Sequence, residues 1–335
     1  MKWNLGLQTL TASTKTKHPV HCMHLRYNGL ITCQGQGELV IMYDLDLMIL
    51  FKVELPYLNE LKPRKFIGLN LQEVILFYAD GSMIVLDSTS MLEIVRSGTI
   101  FNIKGEDYLD MLLIKSREYF LFSIEKQKIE FHTASNFKKS DSWDYFLPQD
   151  ICGCDKNKEG SNIVIWDTSS TLTLFNFLRP LDQSQPTRQV PSHRRFEPIQ
   201  CIDVSDTNVI TCSLDRDLRM WDRNKGTFSK KYDLSSFTAE SVSTIKHNGA
   251  GMLFLGSKDM NVYLIDILKG KLCVVYEGHW SRVTTIYSIP KKDILITISE
   301  SNIKVWDLEY DECIKNMNEH TSLVVYCKLS ALNEE

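Results

Sequence analysis

A chain of 335 residues, 43% of them hydrophobic and 24% charged, holds enough apolar material for a large core, which excludes an intrinsically disordered protein. Its 38 basic and 42 acidic residues nearly cancel, to a net charge of -4, so the chain is not organised around neutralising phosphate and general nucleic-acid binding is disfavoured. No run reaches the roughly 20 apolar residues of a membrane-spanning helix.

The N-terminus reads Met1-Lys2-Trp3-Asn4 and then turns Thr- and Lys-rich through Lys17, without the apolar stretch of a secretory signal. Trp3 to Thr11 has the pattern of a strand. His18, His21, Cys22 and His24 form the densest group of metal-type ligands. Zinc sites usually draw on Cys-x-x-Cys pairs, and the chain has none; the segment reads instead as a strand with His18, Cys22 and His24 on one face and His21 on the other. The nine cysteines (Cys22, Cys33, Cys152, Cys154, Cys201, Cys212, Cys273, Cys313 and Cys327) are odd in number and sit mostly in apolar runs. They read as reduced thiols in a cytoplasmic or nuclear protein. Lys62-Pro63-Arg64-Lys65 reads as a solvated loop, with nuclear localisation as its functional alternative.

From there, short apolar runs of five to eight residues recur, bounded by Gly, Asp, Asn or Ser, and few stretches support a helix of ten or more residues. One run type ends in an aromatic-Asp pair or its relic. It appears as Leu39 to Asp44, Met83 to Asp87, Lys128 to His132, Leu172 to Asn176, Leu218 to Asp222, Val262 to Asp266 and Ile303 to Asp307. The last positions are 43, 45, 44, 46, 44 and 41 residues apart. A period of about 40–45 residues matches one four-stranded propeller blade, so the spacing predicts an all-β chain of seven repeats.

The stretch Thr211-Cys212-Ser213-Leu214-Asp215-Arg216-Asp217-Leu218-Arg219-Met220-Trp221-Asp222 resembles the WD40 signature around strands b and c of a blade. Glu277-Gly278-His279-Trp280-Ser281-Arg282-Val283, followed by Trp306-Asp307, resembles the Gly-His opening and Trp-Asp close of another. The likeness is closest over residues 190–320, and blades two to four lack the Trp. The resemblance implies a seven-bladed WD40 β-propeller spanning 1–335 as one domain, with 1–18 as an N-terminal closing strand and linker that pairs with the last blade. Thr321 to Ser330 also reads as a strand, and an incomplete eighth blade is the alternative. It further implies a hydrogen-bonded structural relay of His, Ser or Thr, Asp and Trp. In blade five these are His193, Thr211, Asp215 and Trp221. In blade seven His279, Thr297 and Trp306 match, with Glu300 or Ser299 standing where Asp is expected. Blade six keeps Asp259 but has Ile265 in place of Trp and no matching His.

Motifs that suggest chemistry have simpler readings. Gly251 to Lys258 resembles a phosphate-binding loop, but the order is Ser-Lys and no helix follows, so it falls on strand b and the b–c turn of blade six. His193, Asp215 and Thr211 imitate a catalytic triad, which the structural relay already explains. His193-Arg194-Arg195-Phe196-Glu197 is a poor match to the Phe-Arg-Arg-Gly signature of phosphoinositide-binding propellers. The expected function is therefore a non-catalytic protein–protein interaction scaffold or adaptor subunit of a multiprotein complex, without cofactor, metal or small-molecule substrate. A substrate-recognition propeller of an F-box/WD40 ubiquitin ligase is the alternative, from the likeness of Trp3-Asn4-Leu5-Gly6 and Cys22 to Leu30 to the start of such propellers. No F-box precedes Met1. A phosphoinositide-binding propeller and an enzyme are weaker alternatives. The residues expected to touch a protein partner are Arg194, Arg195, Phe196, Leu214, Lys258, Trp280 and Arg282, because they fall in loops at one end of the blades.

Overall fold

A computed structural model describes residues 2–4, 9–12, 14–26, 29–55, 63–89, 93–99, 108–115, 119–125, 127–133, 138–156, 162–176, 188–191, 193, 197–205, 207–223, 225–236, 238, 242–248, 251–318 and 324. The chain divides into two compact units, one built on Met1–Leu147 and one on Pro148–Leu329. Among the described residues the regular structure is β-strand and short 3₁₀ turns, and no helix is long and apolar enough to cross a membrane.

The first unit opens with a hairpin, β1 (Lys2–Asn4) and β2 (Thr9–Ala12), and holds three four-stranded sheets. Blade one is β3 (Val20–Arg26), β4 (Gly29–Gln34), β5 (Leu39–Tyr43) and β6 (Ile49–Glu54). Blade two is β7 (Pro63–Gly68), β8 (Glu73–Tyr78), β9 (Ser82–Asp87) and β10 (Ile94–Thr99), and blade three is β11 (Tyr108–Lys115), β12 (Tyr119–Glu125), β13 (Lys128–Thr133) and β14 (Lys139–Phe146). The second unit holds four sheets. Blade four is β15 (Ile151–Lys156), β16 (Asn162–Asp167), β17 (Thr171–Asn176) and β18 (Arg188–Pro191). Blade five is β19 (Ile199–Val204), β20 (Asn208–Ser213), β21 (Asp217–Asp222) and β22 (Thr227–Asp233). Blade six is β23 (Val242–His247), β24 (Met252–Ser257), β25 (Val262–Asp266) and β26 (Lys271–Tyr276), and blade seven is β27 (Val283–Ile289), β28 (Ile294–Ser299), β29 (Ile303–Asp307) and β30 (Glu312–Met317). In every blade the strands, a to d in chain order, pair antiparallel with their sequence neighbours. The fold class is that of a β-propeller.

The repeat extends to backbone detail. All seven a–b pairs carry a register shift between the first and third residues of strand a, as at Val20/Cys22, Ile199/Cys201 and Val283/Thr285. Such a bulge adds local twist and pins the register of the pair. The Asp that closes so many c strands has its own reason. Its carboxylate accepts backbone N–H groups of the c–d turn: Asp44 from Asp46 and Met48 at 2.8 Å each, Asp222 from Lys225 at 2.8 Å, Asp266 from Leu268 at 2.9 Å, and Asp307 from Glu309 at 2.8 Å. An Asp side chain accepts the N–H groups that the turn leaves unpaired, which is why the residue recurs.

Strands b and c are apolar on both faces where neighbouring sheets of a unit pack on them, as in blades five and six. The first strands of consecutive sheets abut: β3 meets β7 in the first unit, and β15, β19, β23 and β27 follow one another in the second. Ile210, Cys212, Leu218, Val242, Leu253 and Tyr263 share one core between blades five and six. Phe254, Val262, Tyr276, Val283, Leu295 and Trp306 share the next, between six and seven. Tyrosines near the ends of d strands add directional ties. Tyr232 Oη donates to the Ile267 carbonyl in the c–d turn of blade six, and Tyr276 Oη donates to Asp311 Oδ1 in that of blade seven at 2.7 Å.

Two expectations change. Trp3 to Thr11 does not run as one strand: Lys2–Asn4 turns back and pairs with Thr9–Ala12. His18 precedes its strand, which starts at Val20, so only His21, Cys22 and His24 of that group lie on β3. There the exposed His21 bonds the Gly35 carbonyl through Nε2 at 2.6 Å while Cys22 is buried. The strand expected at Thr321 to Ser330 lies outside the described residues except for Val324, whose N–H donates to the Glu300 carbonyl at 2.8 Å.

Tyr276 separates the two kinds of inter-blade tie. Tyr276→Phe removes one hydrogen bond and is expected to cost about 1 kcal/mol, whereas Tyr276→Ala also empties space between blades six and seven and is expected to cost about 3–5 kcal/mol. Urea unfolding of both variants measures the difference; equal losses would contradict this division.

Candidate functional site

In blade five, Thr211 lies at the middle of strand b and Trp221 near the end of strand c, while His193 belongs to the loop leading into strand a and Asp215 to the b–c turn. The structure brings all four together. Trp221 Nε1 donates to Thr211 Oγ1 at 3.3 Å, Thr211 Oγ1 and His193 Nε2 are 2.9 Å apart, and His193 Nδ1 lies 3.1 and 3.0 Å from the two Asp215 oxygens. An indole N–H can only donate, and Asp215 as a carboxylate can only accept. The Thr hydroxyl therefore accepts from Trp221 and donates to Nε2, leaving the proton on Nδ1 for Asp215. Burial lowers the His193 pKa, against the raising effect of Asp215. Asp215 also accepts the Asp217 N–H at 2.9 Å, and Arg219 approaches it at 3.5 Å.

Blade seven repeats the chain with a different last member. Trp306 Nε1 donates to Thr297 Oγ1 at 2.8 Å, Thr297 is 2.6 Å from His279 Nε2, and His279 Nδ1 is 2.9 Å from Asn302 Oδ1. Neither Glu300 nor Ser299 takes the Asp position. Glu300 pairs with Arg282 at 2.7 Å, and Ser299 Oγ donates to Asn302 Oδ1 at 2.7 Å. The short b–c turn moves the acceptor to the residue just before β29. An amide oxygen serves a neutral His as well as a carboxylate does, but it adds no negative charge to hold a proton. Burial, aided by Lys304 and opposed by the bond to Asn302, lowers the His279 pKa to about 4.

Other blades keep parts of the arrangement. In blade six Asp259 Oδ2 accepts from Tyr263 Oη at 2.8 Å. In blade one Thr32 and Tyr43 occupy the places of Thr and Trp, and the Gln34 amide donates to both, at 2.8 and 2.9 Å. Sequence reasoning passed over Asn302, Gln34 and Tyr43. The position of Tyr43 just before Asp44, matching Trp221-Asp222, was the available signal.

This geometry does not fit nucleophilic catalysis. Thr211 is fully buried and His193 nearly so, and the hydroxyl is already engaged by Trp221. A nucleophile needs an approach path for its substrate. Among the described residues, no group of three or more His, Cys, Asp or Glu side chains gathers as a metal site.

What the relays do is fasten the lead-in loop to the b–c turn at one end of each blade. Further ties act at that end: Ser281 Oγ lies 2.9 Å from Ser301 Oγ, and Arg216, at φ 60°, donates to the Thr238 carbonyl ahead of blade six. On this end of the second unit Trp280 is 61% exposed, Leu214 42% and Met260 42%, with Lys258 and Arg282 also exposed. Met260 was not anticipated from the sequence; it stands one residue beyond Asp259 in the turn. Arg194, Arg195 and Phe196 lie outside the described residues.

Comparison with known proteins agrees with the geometry. The family model "WD domain, G-beta repeat" matches residues 184–222 and 270–307, the segments that carry the two relays. The computationally designed Ika8 protein, a crystal structure, superposes with a TM-score of 0.69 over 92% of this chain and 89% of its own, at 15% identity, a likeness of fold alone. The Arabidopsis thaliana transcriptional corepressor LEUNIG_HOMOLOG is 22% identical over 158 residues, and the Schizosaccharomyces pombe U3 small nucleolar RNA-associated protein 21 homolog is 24% identical over 125. Those matches cover 47% and 36% of this chain but only 18% and 14% of the relatives, so the chain spans a small part of either protein. The fold and the relays define a repeat protein of the propeller class. Within it, residues 184–222 and 270–307 are similar to WD40 repeats.

Asp215→Ala leaves the buried His193 N–H without its acceptor and is expected to destabilise the protein by about 1–3 kcal/mol in urea unfolding. His279 gives a pH signature. Its folded pKa of about 4 lies below the ordinary 6.5, so the native state holds the neutral form. That stability is complete above about pH 6.5 and is lost as pH falls toward 4, on the order of 3 kcal/mol in all. Asn302→Asp supplies a carboxylate, raises the His279 pKa and should make this acid loss smaller; an unchanged or larger loss between pH 6.5 and 4 would refute the assignment.

Proposed function

We propose that this protein is a non-catalytic scaffold or adaptor that binds a protein partner through the loop end of blades five to seven. The observation that carries the reading is Trp280. It follows His279, whose relay fixes the loop, yet its own ring is mostly in solvent and fills no core. Leu214 and Met260 stand exposed in the b–c turns of blades five and six, at the same end. Rigidly held aromatic and apolar side chains lose little entropy on docking, and Trp and Arg dominate interface energies. Lys258 and Arg282 would form the polar rim. Arg282 is already paired with Glu300, so its contribution is orientation more than free charge.

The relatives' names support the scaffold reading: one is called a corepressor, the other an RNA-associated protein. They favour the nucleus over the cytoplasm as the place of action. The near-neutral charge favours a protein over a nucleic acid as the direct contact. No observation in the fold favours the ubiquitin-ligase or phosphoinositide alternatives.

The test compares Trp280→Ala and Arg282→Ala with the unaltered protein in affinity capture, with thermal melting in parallel. Loss of a specific co-purifying protein at unchanged melting temperature is expected for Trp280→Ala, with a smaller loss for Arg282→Ala. A lowered melting temperature with capture intact would assign Trp280 to stability and remove the proposed surface.

A further inference from the structure

Two blades oppose a pair of cysteines across strands a and b, at the same register. In blade one Cys22 is the third residue of β3 and faces Cys33, the fifth of β4. In blade five Cys201 is the third residue of β19 and faces Cys212, the fifth of β20. Both pairs adjoin the shared bulge. The equivalent pairs elsewhere in the second unit are Gly153 with Trp166, Thr244 with Gly256 and Thr285 with Ile298, so the fold does not demand cysteine there. In each pair the neighbouring thiol and burial raise the pKa of one cysteine, Cys33 in blade one and Cys201 in blade five.

Directly opposed residues of an antiparallel pair have Cα atoms roughly 4.5 or 5.5 Å apart, both within the roughly 4.4–6.8 Å that a disulfide spans. Closure therefore needs little backbone movement. The pairs differ in access: Cys201 is half-buried, whereas Cys22 and Cys33 are both buried.

We propose that Cys201 and Cys212 form a covalent modification site, a dithiol that a small-molecule disulfide oxidises to an intrablade disulfide in the folded protein, while the Cys22–Cys33 pair stays protected. One protein thiolate attacks a sulfur of the oxidant, whose S–S bond breaks and releases one thiol. The neighbouring cysteine then attacks the mixed disulfide at the protein sulfur, forming the Cys201–Cys212 bond and releasing the second thiol. The protein loses two electrons and two protons, and the oxidant gains them as its two thiols. The adjoining Cys212 thiol and burial raise the Cys201 pKa, which slows the exchange. The new bond would rivet strand a to strand b beside Thr211, the hydroxyl at the centre of the blade-five relay.

The experiment incubates the native full chain with oxidised glutathione, alkylates remaining thiols and maps the peptides by mass spectrometry. The expected product is a Cys201–Cys212 cross-link lighter by two hydrogen masses, with Cys22 and Cys33 recovered reduced until denaturant is added. Its melting temperature should rise and return on treatment with dithiothreitol. Cys201→Ser should lose both the cross-link and the shift. Recovery of Cys201 and Cys212 as free thiols after full oxidation of an exposed dithiol peptide would overturn the proposal, as would a stable glutathione adduct on either sulfur. First closure at Cys22–Cys33 would overturn its assignment to blade five. The mapping uses the unaltered chain, so it does not depend on any variant folding.

Discussion

The indole N–H of Trp221, and equally that of Trp306, can only give a hydrogen bond, and this fixes the direction of everything attached to it. The buried threonine must accept from the indole and donate onward, the histidine must receive at Nε2, and the proton on Nδ1 must find an acceptor. That acceptor is a carboxylate in blade five and an amide oxygen in blade seven. The chemistry asks only for a lone pair at that place, so two residue types satisfy it. The difference is electrostatic: Asp215 favours a protonated ring through both its charge and its hydrogen bond, Asn302 through its hydrogen bond alone. Because the chain of bonds starts in strand c and ends in the loops, it transmits the rigidity of the core to the surface beside it.

That rigidity has a second source in how the sheets are covered. A single four-stranded sheet with two apolar faces cannot be stable in water, and within each unit neighbouring sheets cover one another's apolar faces. The clusters between blades four and five, five and six, and six and seven are built this way. Nondirectional packing alone would tolerate some sliding of sheet on sheet. Tyr232 and Tyr276 remove that freedom by tying one blade's outer strand to the next blade's turn.

The architecture was legible because one local requirement recurs along the chain. Strand c must end in a tight turn, and Asp44, Asp222, Asp266 and Asp307 supply it, so the period could be counted from them. The His-Thr-Asp-Trp set of blade five lies at its family spacing and could be named residue by residue. Asn302 was missed because the search looked within the b–c turn for an acid, whereas the shorter turn moved the acceptor onto the threshold of the strand. Gln34 was missed because its amide bonds within its own sheet, to Thr32 and Tyr43, away from the family positions. Nor could the pairing of Arg282 with Glu300, 18 residues away, be read without knowing which loop lies beside which turn.

Within each described sheet every strand pairs with a strand next to it in the chain, in most cases across a short turn. Contacts within a blade therefore close small loops, at low entropic cost, and a sheet can assemble as soon as its own residues leave the ribosome. Its faces, however, stay bare until the following sheet has been synthesised. During translation the newest blade is always the one with uncovered apolar surface, so the demand for chaperone protection moves along the chain with the ribosome and does not rest on any one segment.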